Sequence, residues 1–328
     1  MRLTTTLRFA IHLTASLCAA LFAGQSLAQG EQPYPNRLIR IVVGQAPGGI
    51  NDILARLYAQ ELTPRIKQQV IVEHRPGADG VIGARAVSTA PPDGYTLHVG
   101  TGTNQSRILL KNGLDLLKEL APVSVLVTST YVLFTSTRHP FKSLADVVAY
   151  SKSNPGTRLN FGSAGAFNLL AMAMIGDRMG VNYLTIPYKG ASPAAQALAA
   201  NEIDLSIGNV PPYLPLIKGG KIRALVAFNA RGLASLPDAS SAPQAGLSNF
   251  NIGTSNAIWA PPATPREVIA RISAEFAAIT RQPVVQDRLR STLDAEPIGS
   301  TPEEMRKIVE ADLRFWEEAV KVAQFVPE

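Results

Sequence analysis

The chain has 328 residues, of which 46% are hydrophobic and only 17% are charged, and its formal net charge is +6. The apolar fraction excludes an intrinsically disordered chain. The basic residues form no block of the kind that nucleic-acid-binding proteins carry, so no nucleic-acid partner is expected. A chain of this length predicts two α/β lobes that bury a large core.

The first 28 residues have the pattern of a secretory signal peptide. Met1–Arg8 is basic, Phe9–Gly24 is apolar, and Ser26-Leu27-Ala28 places small residues before a cleavage point. We therefore expect cleavage near Ala28 and a periplasmic protein. An uncleaved anchor is the disfavoured alternative, because the apolar stretch is short for a membrane span. The only cysteine, Cys18, lies in this segment, so the mature chain is expected to have no disulfide and no cysteine–metal site.

From Arg37 onward, short β-rich runs alternate with helical patterns, which predicts mostly parallel sheets with helices on both faces. The predicted strands are Leu38–Val43, Val70–Glu73, Thr96–Val99, Val123–Thr128, Tyr131–Thr135, Leu159–Phe161, Leu184–Pro187, Ile203–Ile207 and Ile222–Phe228. The predicted helices between them include Ile53–Leu62, Ser143–Ser153, Leu169–Met179, Pro193–Ala200 and Tyr213–Lys218. After Pro261 the pattern predicts helices only, the longest being Pro265–Thr280 and Pro302–Ala323.

The chain is expected to cross between the lobes twice. The β-rich runs near Val125–Thr130 and Ile252–Ala260 are not followed by the usual helices, which favours a crossing at each. Residues 29–126 are accordingly predicted to form the first part of lobe 1, residues 127–252 lobe 2, and residues 253–328 the mainly helical second part of lobe 1. Two crossings form a hinge, and hinge closure around a ligand is a known mode of binding.

The two halves of the chain share a local pattern in which a strand leads into a glycine-rich turn and then a helix. The turns are Gly44-Gln45-Ala46-Pro47-Gly48-Gly49 and Gly162-Ser163-Ala164-Gly165. Gly48 and Gly49 can take positive φ and let a ligand approach the backbone closely. The N–H groups and dipole of a helix N-terminus favour an anion. An ordinary strand–helix connection is the alternative interpretation.

Side chains in these turns suggest distinct roles, and none of them indicates an enzyme. Asp52 disfavours a free anion beside it, so it is expected to order the first turn or a water. Ser163 is expected to donate its hydroxyl to a carboxylate oxygen. It does not fit a serine-hydrolase turn, because Phe161 replaces the first glycine of that motif. Gly100-Thr101-Gly102 opens like a dinucleotide-binding motif, but Gln105 replaces the third glycine. No cofactor and no metal site is predicted.

Further motifs give the chain a family resemblance that covers essentially the whole mature sequence. They are Tyr34-Pro35-Asn36-Arg37-Leu38-Ile39-Arg40, Arg75-Pro76-Gly77-Ala78-Asp79-Gly80, Pro92-Asp93-Gly94-Tyr95-Thr96-Leu97, Pro187-Tyr188-Lys189-Gly190, Gly220-Lys221-Ile222-Arg223-Ala224-Leu225 and Ala260-Pro261-Pro262-Ala263-Thr264-Pro265. With the two turns, they resemble the solute-binding proteins of tripartite tricarboxylate transporters, the Bug-type periplasmic receptors. The resemblance implies a two-lobed α/β periplasmic binding protein, type II-like, in which each lobe is a mostly parallel sheet flanked by helices.

The resemblance also implies where the solute binds. In that family the loops matching Ala46–Asp52 and Gly162–Gly165 grip carboxylates, and segments matching Thr101–Asn104 and Asn209 face the cleft. The candidate ligand-binding residues are therefore Gln45, Ala46, Gly48, Gly49, Asp52, Thr101, Asn104, Ser163, Ala164, Gly165 and Asn209. Three positions depart from the family pattern: Gln45 replaces a common aromatic, Leu169 a common histidine and Gly208 a frequent aspartate. They put the usual selectivity for small dicarboxylates in doubt.

The function implied is capture of an organic carboxylate in the periplasm for uptake by a tripartite tricarboxylate transporter. A di- or tricarboxylate, aliphatic or aromatic, is the expected solute, and monocarboxylates offer the same group. The partners expected are this solute and the membrane subunits of the transporter, and the receptor is expected to be a monomer. The alternative is a sensing role, in which the closed form is presented to a signalling partner.

Overall fold

The computed structural model describes residues 34–102, 106–248, 250 and 252–322. The predicted signal peptide and the candidate residue Asn104 lie outside this range. Within it, two six-stranded sheets flanked by helices form the α/β fold that the sequence predicted. None of the described helices is long and apolar enough to cross a membrane.

The first sheet has the strand order β2-β1-β3-β11-β4-β12. Its strands are β1 Ile39–Val43, β2 Val70–His74, β3 Thr96–Gly100, β4 Ala121–Thr130, β11 Gly253–Ala260 and β12 Ala295–Pro297. Strand β1 runs parallel to β2 and β3, whereas β11 is antiparallel to its neighbours β3 and β4. The sheet is therefore mixed.

The second sheet has the order β7-β6-β8-β5-β9-β10. Its strands are β5 Val132–Ser136, β6 Leu159–Ser163, β7 Tyr183–Pro187, β8 Leu205–Gly208, β9 Ile222–Ala227 and β10 Ser240–Ser241. Strand β6 is parallel to β7 and β8, and β5 is antiparallel to β8 and β9. Strands β5 and β11 thus hold equivalent positions. The chain enters each of these two strands directly from the other lobe, without a crossover helix in the same lobe. Each strand is therefore antiparallel to its neighbours.

Ten helices are described, most of them near their predicted bounds. They are α1 Ile50–Ile66, α2 Val81–Ser88, α3 Leu116–Glu119, α4 Leu144–Ser153, α5 Ala166–Met179, α6 Ala191–Ala199, α7 Leu214–Lys218, α8 Arg266–Thr280, α9 Pro283–Leu293 and α10 Pro302–Val322. The prediction of helices only after Pro261 is wrong at β12, which pairs antiparallel with β4. A strand of three residues is too short to show a periodic pattern.

The two crossings between the sheets lie side by side. Strand β4 stays in the first sheet through Thr130 and β5 begins the second at Val132, so the chain passes between the sheets at Tyr131. The chain returns between Ile252 and Gly253. The Tyr131 N–H donates to the Ile252 carbonyl at 3.0 Å, which joins the two crossings.

The terminal helix α10 packs on both lobes rather than on lobe 1 alone. Near its start, Met305 and Val309 belong to the apolar core of the first lobe, together with Trp259. Two turns further on, the Trp316 ring lies 4.2 Å from the Phe167 ring of α5, in the core of the second lobe. The helix therefore spans the hinge. Its amphipathic pattern marks a buried face but not the lobe on which that face packs.

Candidate functional site

A cavity of about 60 Å³ lies between the two sheets, at the carboxyl ends of their parallel strands. Gln45 follows β1, Thr101 follows β3, Ala164 follows β6 and Asn209 follows β8, and all four line the cavity. Tyr131 lines it from the hinge. In open α/β sheets, this edge is where ligands bind.

Three of the described helices begin at this cavity with a glycine in place of a capping side chain. They are α1, α5 and α6, whose N-cap residues are Gly49, Gly165 and Gly190. None of the three makes a side-chain capping hydrogen bond, and all three line the cavity. Each helix end carries roughly half a positive elementary charge. The arrangement creates a site for a small anion.

The first turn is braced from behind by Asp52. Its carboxylate accepts hydrogen bonds from the Gly48 N–H at 2.9 Å, from Arg56 Nε at 2.8 Å and from His74 Nε2 at 2.8 Å. Asp52 is buried and does not line the cavity. Its charge is thus compensated within lobe 1, which leaves the start of α1 facing the cavity.

The two glycines of the first turn have different conformations. Gly48 has φ +86°, as the sequence predicted, but Gly49 has φ −81°, so the expectation of positive φ is wrong there. A Cβ on Gly49 would meet only the Ala46 carbonyl oxygen, at 3.8 Å. The backbone therefore tolerates a side chain at Gly49, and the glycine serves to keep the cavity open.

The second turn is closed by Ser163. Its hydroxyl donates to the Gly165 carbonyl at 2.9 Å and accepts from the Gly165 N–H at 3.3 Å, as serine does in local turns. Ser163 is 3% exposed and lines neither the inner cavity nor the larger cavity that adjoins it. The turn itself uses this hydroxyl, and its expected hydrogen bond to the solute stays a prediction.

A buried polar network forms the floor of the cavity and joins the lobes. Asn256 is fully buried, and its amide donates to Asn51 Oδ1 at 2.9 Å and to Thr101 Oγ1 at 3.2 Å. Ser129 donates to Asn256 Oδ1 at 3.3 Å, and Asn209 of lobe 2 donates to Ser129 Oγ at 2.8 Å. These bonds fix Thr101 and Asn209 with respect to each other.

One acidic side chain reaches across the cleft. Asp79, from a 3-10 turn at Ala78–Gly80, places Oδ2 at 2.7 Å from the Ala166 N–H at the start of α5. The Asp79 carbonyl accepts from Gln45 Nε2 at 3.4 Å. A second cavity of about 270 Å³ adjoins the first and shares Gln45, Asp79, Ala164 and Gly190 with it. Lys189 lines only this outer cavity.

Comparison with known proteins identifies the family. The family model described as "Tripartite tricarboxylate transporter family receptor" matches residues 54–324. The chain belongs to this receptor family. It is 30% identical over 311 residues to the UPF0065 protein in the tcbD-tcbE intergenic region of Pseudomonas sp. (strain P51), covering 93% of this chain and 92% of that protein.

Solved structures of similar proteins support the same conclusion. R. palustris Rpa4515 with adipate gives a TM-score of 0.85 at 30% identity, covering 90% of this chain and 100% of that chain. The periplasmic binding protein BugD gives a TM-score of 0.84 at 29% identity, with coverage of 90% and 100%. The family resemblance predicted from the sequence is confirmed. Members of this family are periplasmic solute receptors rather than enzymes.

Most of the candidate residues named for this receptor from its sequence come together at the inner cavity. Those that line it are Gln45, Ala46, Gly49, Thr101, Ala164, Gly165 and Asn209. Gly48, Asp52 and Ser163 lie just behind the turns, and Asn104 lies outside the described residues. The sequence assigned no role to other lining residues, among them Asn51, Asp79, Tyr131, Asn168, Gly190 and Ala191. Asp79 and Gly190 belong to motifs that carry the family resemblance, and no other feature of the sequence indicated that they lie at the site.

The structure explains one of the receptor's departures from the family pattern. A Cβ on Gly208 would lie 2.7 Å from the Tyr213 ring and 3.0 Å from its hydroxyl. Tyr213 is fully buried, stacks on Phe134 at 4.0 Å and shares a hydrogen bond with Ser206 at 2.8 Å. Burial raises the pKa of the Tyr213 hydroxyl, which stays protonated. The ring thus takes the space that an aspartate side chain at position 208 would need.

Metal binding has no evident place in the described part of the receptor. No group of three or more His, Cys, Asp or Glu side chains lies close enough there to hold a metal ion. The polar groups around the cavity are backbone amides, side-chain amides and hydroxyls, together with Asp79. Such a set binds through hydrogen bonds.

Proposed function

We propose that this receptor captures an organic carboxylate in the interlobe cavity and delivers it from the periplasm to the membrane subunits of a tripartite tricarboxylate transporter. The observation that carries the proposal is the convergence of three glycine-capped helix N-termini on one cavity, of which those of α1 and α6 are open and that of α5 is bonded to Asp79. The adipate in the similar R. palustris structure supports a carboxylate as the ligand.

The energetics of such a site are adequate without a basic side chain. A micromolar dissociation constant requires about 8 kcal/mol. Hydrogen bonds to a charged group contribute about 1.5–3 kcal/mol each. A carboxylate that accepts several amide hydrogen bonds at these helix ends reaches that value after the cost of closing the lobes.

Closure about the hinge follows from the same arrangement. The two crossings, at Tyr131 and after Ile252, allow the lobes to move as units. Cavity-lining groups come from both lobes, so a solute that bridges them favours the closed form. In this proposal the signal peptide of residues 1–28 is removed near Ala28, and the mature receptor acts as a monomer.

Thermal-shift screening of the mature chain, residues 29–328, against a carboxylate library tests the proposal. A ligand at 100 times its dissociation constant adds about 2.7 kcal/mol to stability, so a true solute raises the melting temperature by several degrees. Isothermal titration then gives the affinity of each hit. A library that leaves the melting temperature unchanged, or a hit that the protein converts to product, contradicts the proposal.

A matched pair of variants tests whether the solute binds in the inner cavity. Gly49→Val fills the inner cavity at a backbone position that tolerates a side chain, whereas Gly156→Val adds the same side chain in open space. We expect Gly49→Val to lose binding with little change in melting temperature, and Gly156→Val to bind as the wild type. Equal affinities for both variants contradict binding at this cavity.

Uptake by cells separates transport from sensing. In cells that lack the receptor, uptake of the labelled solute should be restored by the wild type and not by Gly49→Val. Unchanged uptake combined with a lost transcriptional response favours the sensing alternative instead.

A further inference from the structure

The N-terminus of α5 already holds a carboxylate that belongs to the chain. Asp79 Oδ2 accepts from the Ala166 N–H at 2.7 Å, a short bond of the kind made by charged acceptors. The carboxylate lies directly over the N-cap residue: a Cβ on Gly165 would be 3.0 Å from Asp79 Cγ and 3.1 Å from each of its oxygens. The anion position of this helix end is therefore filled from the opposite lobe.

The loop that carries Asp79 is shaped to hold it there. Ala78 and Asp79 have φ of +44° and +53°, and the flanking Gly77 and Gly80 have φ of +135° and +93°. Two successive non-glycine residues in the left-handed region are uncommon and persist only where the surroundings impose them. The loop also packs closely on the first turn, since a Cβ on Gly44 would lie 2.6 Å from the Gly80 backbone.

The charges around the cavity show what Asp79 changes. The α5 end carries roughly half a positive elementary charge, and the Asp79 carboxylate places a negative charge directly on it, whereas the ends of α1 and α6 stay open to the inner cavity. Helix α2, whose N-cap residue is Gly80, begins at the outer cavity. The Asp52 carboxylate is paired with the Arg56 guanidinium and hydrogen-bonded to His74 behind the turn. Lys189 is exposed at the outer cavity, where solvent screens it. A second carboxylate near α5 would therefore meet the Asp79 charge in place of an open helix end, which favours a solute with one carboxylate.

We propose that Asp79 is a specificity-determining residue that selects solutes with a single carboxylate. That carboxylate binds at the N-termini of α1 and α6, and the far end of the solute extends into the outer cavity beside Asp79, which lines both cavities. The group facing Asp79 is neutral or cationic, such as an alkyl, hydroxyl or ammonium end. This inference rests on the proposed function and narrows it, because it rejects dicarboxylates like the adipate of the similar structure.

Isothermal titration with matched ligands tests the inference. Linear carboxylates of four to eight carbons are compared in three series that differ only at the far end: methyl, as in pentanoate, ammonium, as in 5-aminopentanoate, and carboxylate, as in pentanedioate. We expect the wild type to bind a methyl or ammonium ligand at least about tenfold more tightly than the dicarboxylate of equal length, the effect of one charge-assisted hydrogen bond.

Asp79→Asn keeps the shape of the side chain and removes its charge. In this variant we expect the preference to shift toward the dicarboxylate by about tenfold or more, because residue 79 then carries no negative charge to repel the second carboxylate and its amide N–H can donate to it. Asp177→Asn, which removes an exposed carboxylate from the last turn of α5, should keep the wild-type preference.

The outcomes separate the two proposals. A dicarboxylate as the tightest wild-type ligand, or a preference that Asp79→Asn leaves unchanged, overturns the role of Asp79 while carboxylate binding stands. Absence of binding by every series to both proteins overturns the proposed function, and the selectivity inference with it.

Discussion

The first turn, Gly44–Gly49, and the second turn, Gly162–Gly165, follow equivalent strands of the two sheets and precede helices with uncapped N-termini. They are nevertheless used differently. In the first, Asp52 is paired behind the turn and the helix end faces the cavity. In the second, Asp79 of the other lobe, 87 residues away in the chain, occupies the helix end. The same local pattern can therefore leave a helix N-terminus open to an anion or have it occupied by a carboxylate from elsewhere in the chain.

Gly165→Val should have the largest effect, because the new side chain would enter the inner cavity and also collide with the Asp79 carboxylate at the N-terminus of α5. Its φ of +156° is unfavourable for a β-branched residue, and the new Cβ would meet the Asp79 carboxylate at 3.0 Å. We expect solute affinity to fall at least about tenfold and the melting temperature to drop by several degrees. Titration and melting curves measure the two effects.

Gly180→Val is the control for this prediction. Gly180 ends the same helix with φ +72° in open space, so the substitution strains the backbone without touching the cleft. It should lower the melting temperature and leave affinity unchanged. If both variants lose affinity equally, strain rather than the contact with Asp79 explains the loss.

Asp52→Asn should weaken the first turn alone. An amide in place of the carboxylate leaves Arg56 and His74 without their charged partner and weakens the bond to the Gly48 N–H. We expect a loss of about 1–3 kcal/mol in the free energy of unfolding, measured by urea denaturation, and a weaker affinity for the solute. The exposed Asp177→Asn serves as control. Equal unfolding curves for the two variants would show that Asp52 does not brace the turn.

A pH titration of stability reports on two partly buried carboxyls that lie in a groove outside the cleft. Asp312 accepts from Ser255 Oγ at 3.2 Å and Asp294 contacts Ser235, and both line a groove that shares no residue with the two cavities of the cleft. Burial raises the pKa of each carboxyl to about 6. The folded state therefore binds protons that the unfolded state has released.

The contribution of these two carboxyls to the free energy of unfolding should consequently be largest below about pH 4 and fall as the pH rises through 6, because raised carboxyl pKa values favour the protonated fold. For Asp312 we expect a change of about 1–2 kcal/mol after allowance for its partial exposure. Urea denaturation between pH 4 and 7.5 measures it, and Asp312→Asn should flatten the slope while Asp177→Asn keeps it. A slope that is the same in Asp312→Asn as in the wild type contradicts this assignment.

Ser163→Ala should have the smallest effect, because the hydroxyl bonds only within the second turn. We expect a loss of about 0.5–1.5 kcal/mol in stability and an affinity within about threefold of the wild type. Isothermal titration of the folded variant measures its affinity for the solute, and melting curves measure its stability. A loss of affinity of tenfold or more with an unchanged melting temperature would restore the direct role that the sequence predicted for Ser163.

Local patterns in the sequence were sufficient for most of the strands and helices and for the two turns of the site. Strand β1 and helix α1 are recognisable because their periodicities of two and 3.6 residues depend on neighbours in the chain. The family motifs were equally local, and they led to the receptor family and to seven of the residues that line the inner cavity. The sign of φ at Gly49 was predicted wrongly because glycine adopts positive and negative φ about equally well.

Tertiary structure alone decided the features that depend on distant partners. The crossing at Tyr131 is set by the pairing of β4 with β11 and β12, and the place of Trp316 by its contact with Phe167 in the other lobe. Asp79 is an ordinary acidic loop residue in the sequence. It becomes a cleft carboxylate because folding brings its loop to the N-terminus of α5, and no local pattern records a contact between residues so far apart in the chain.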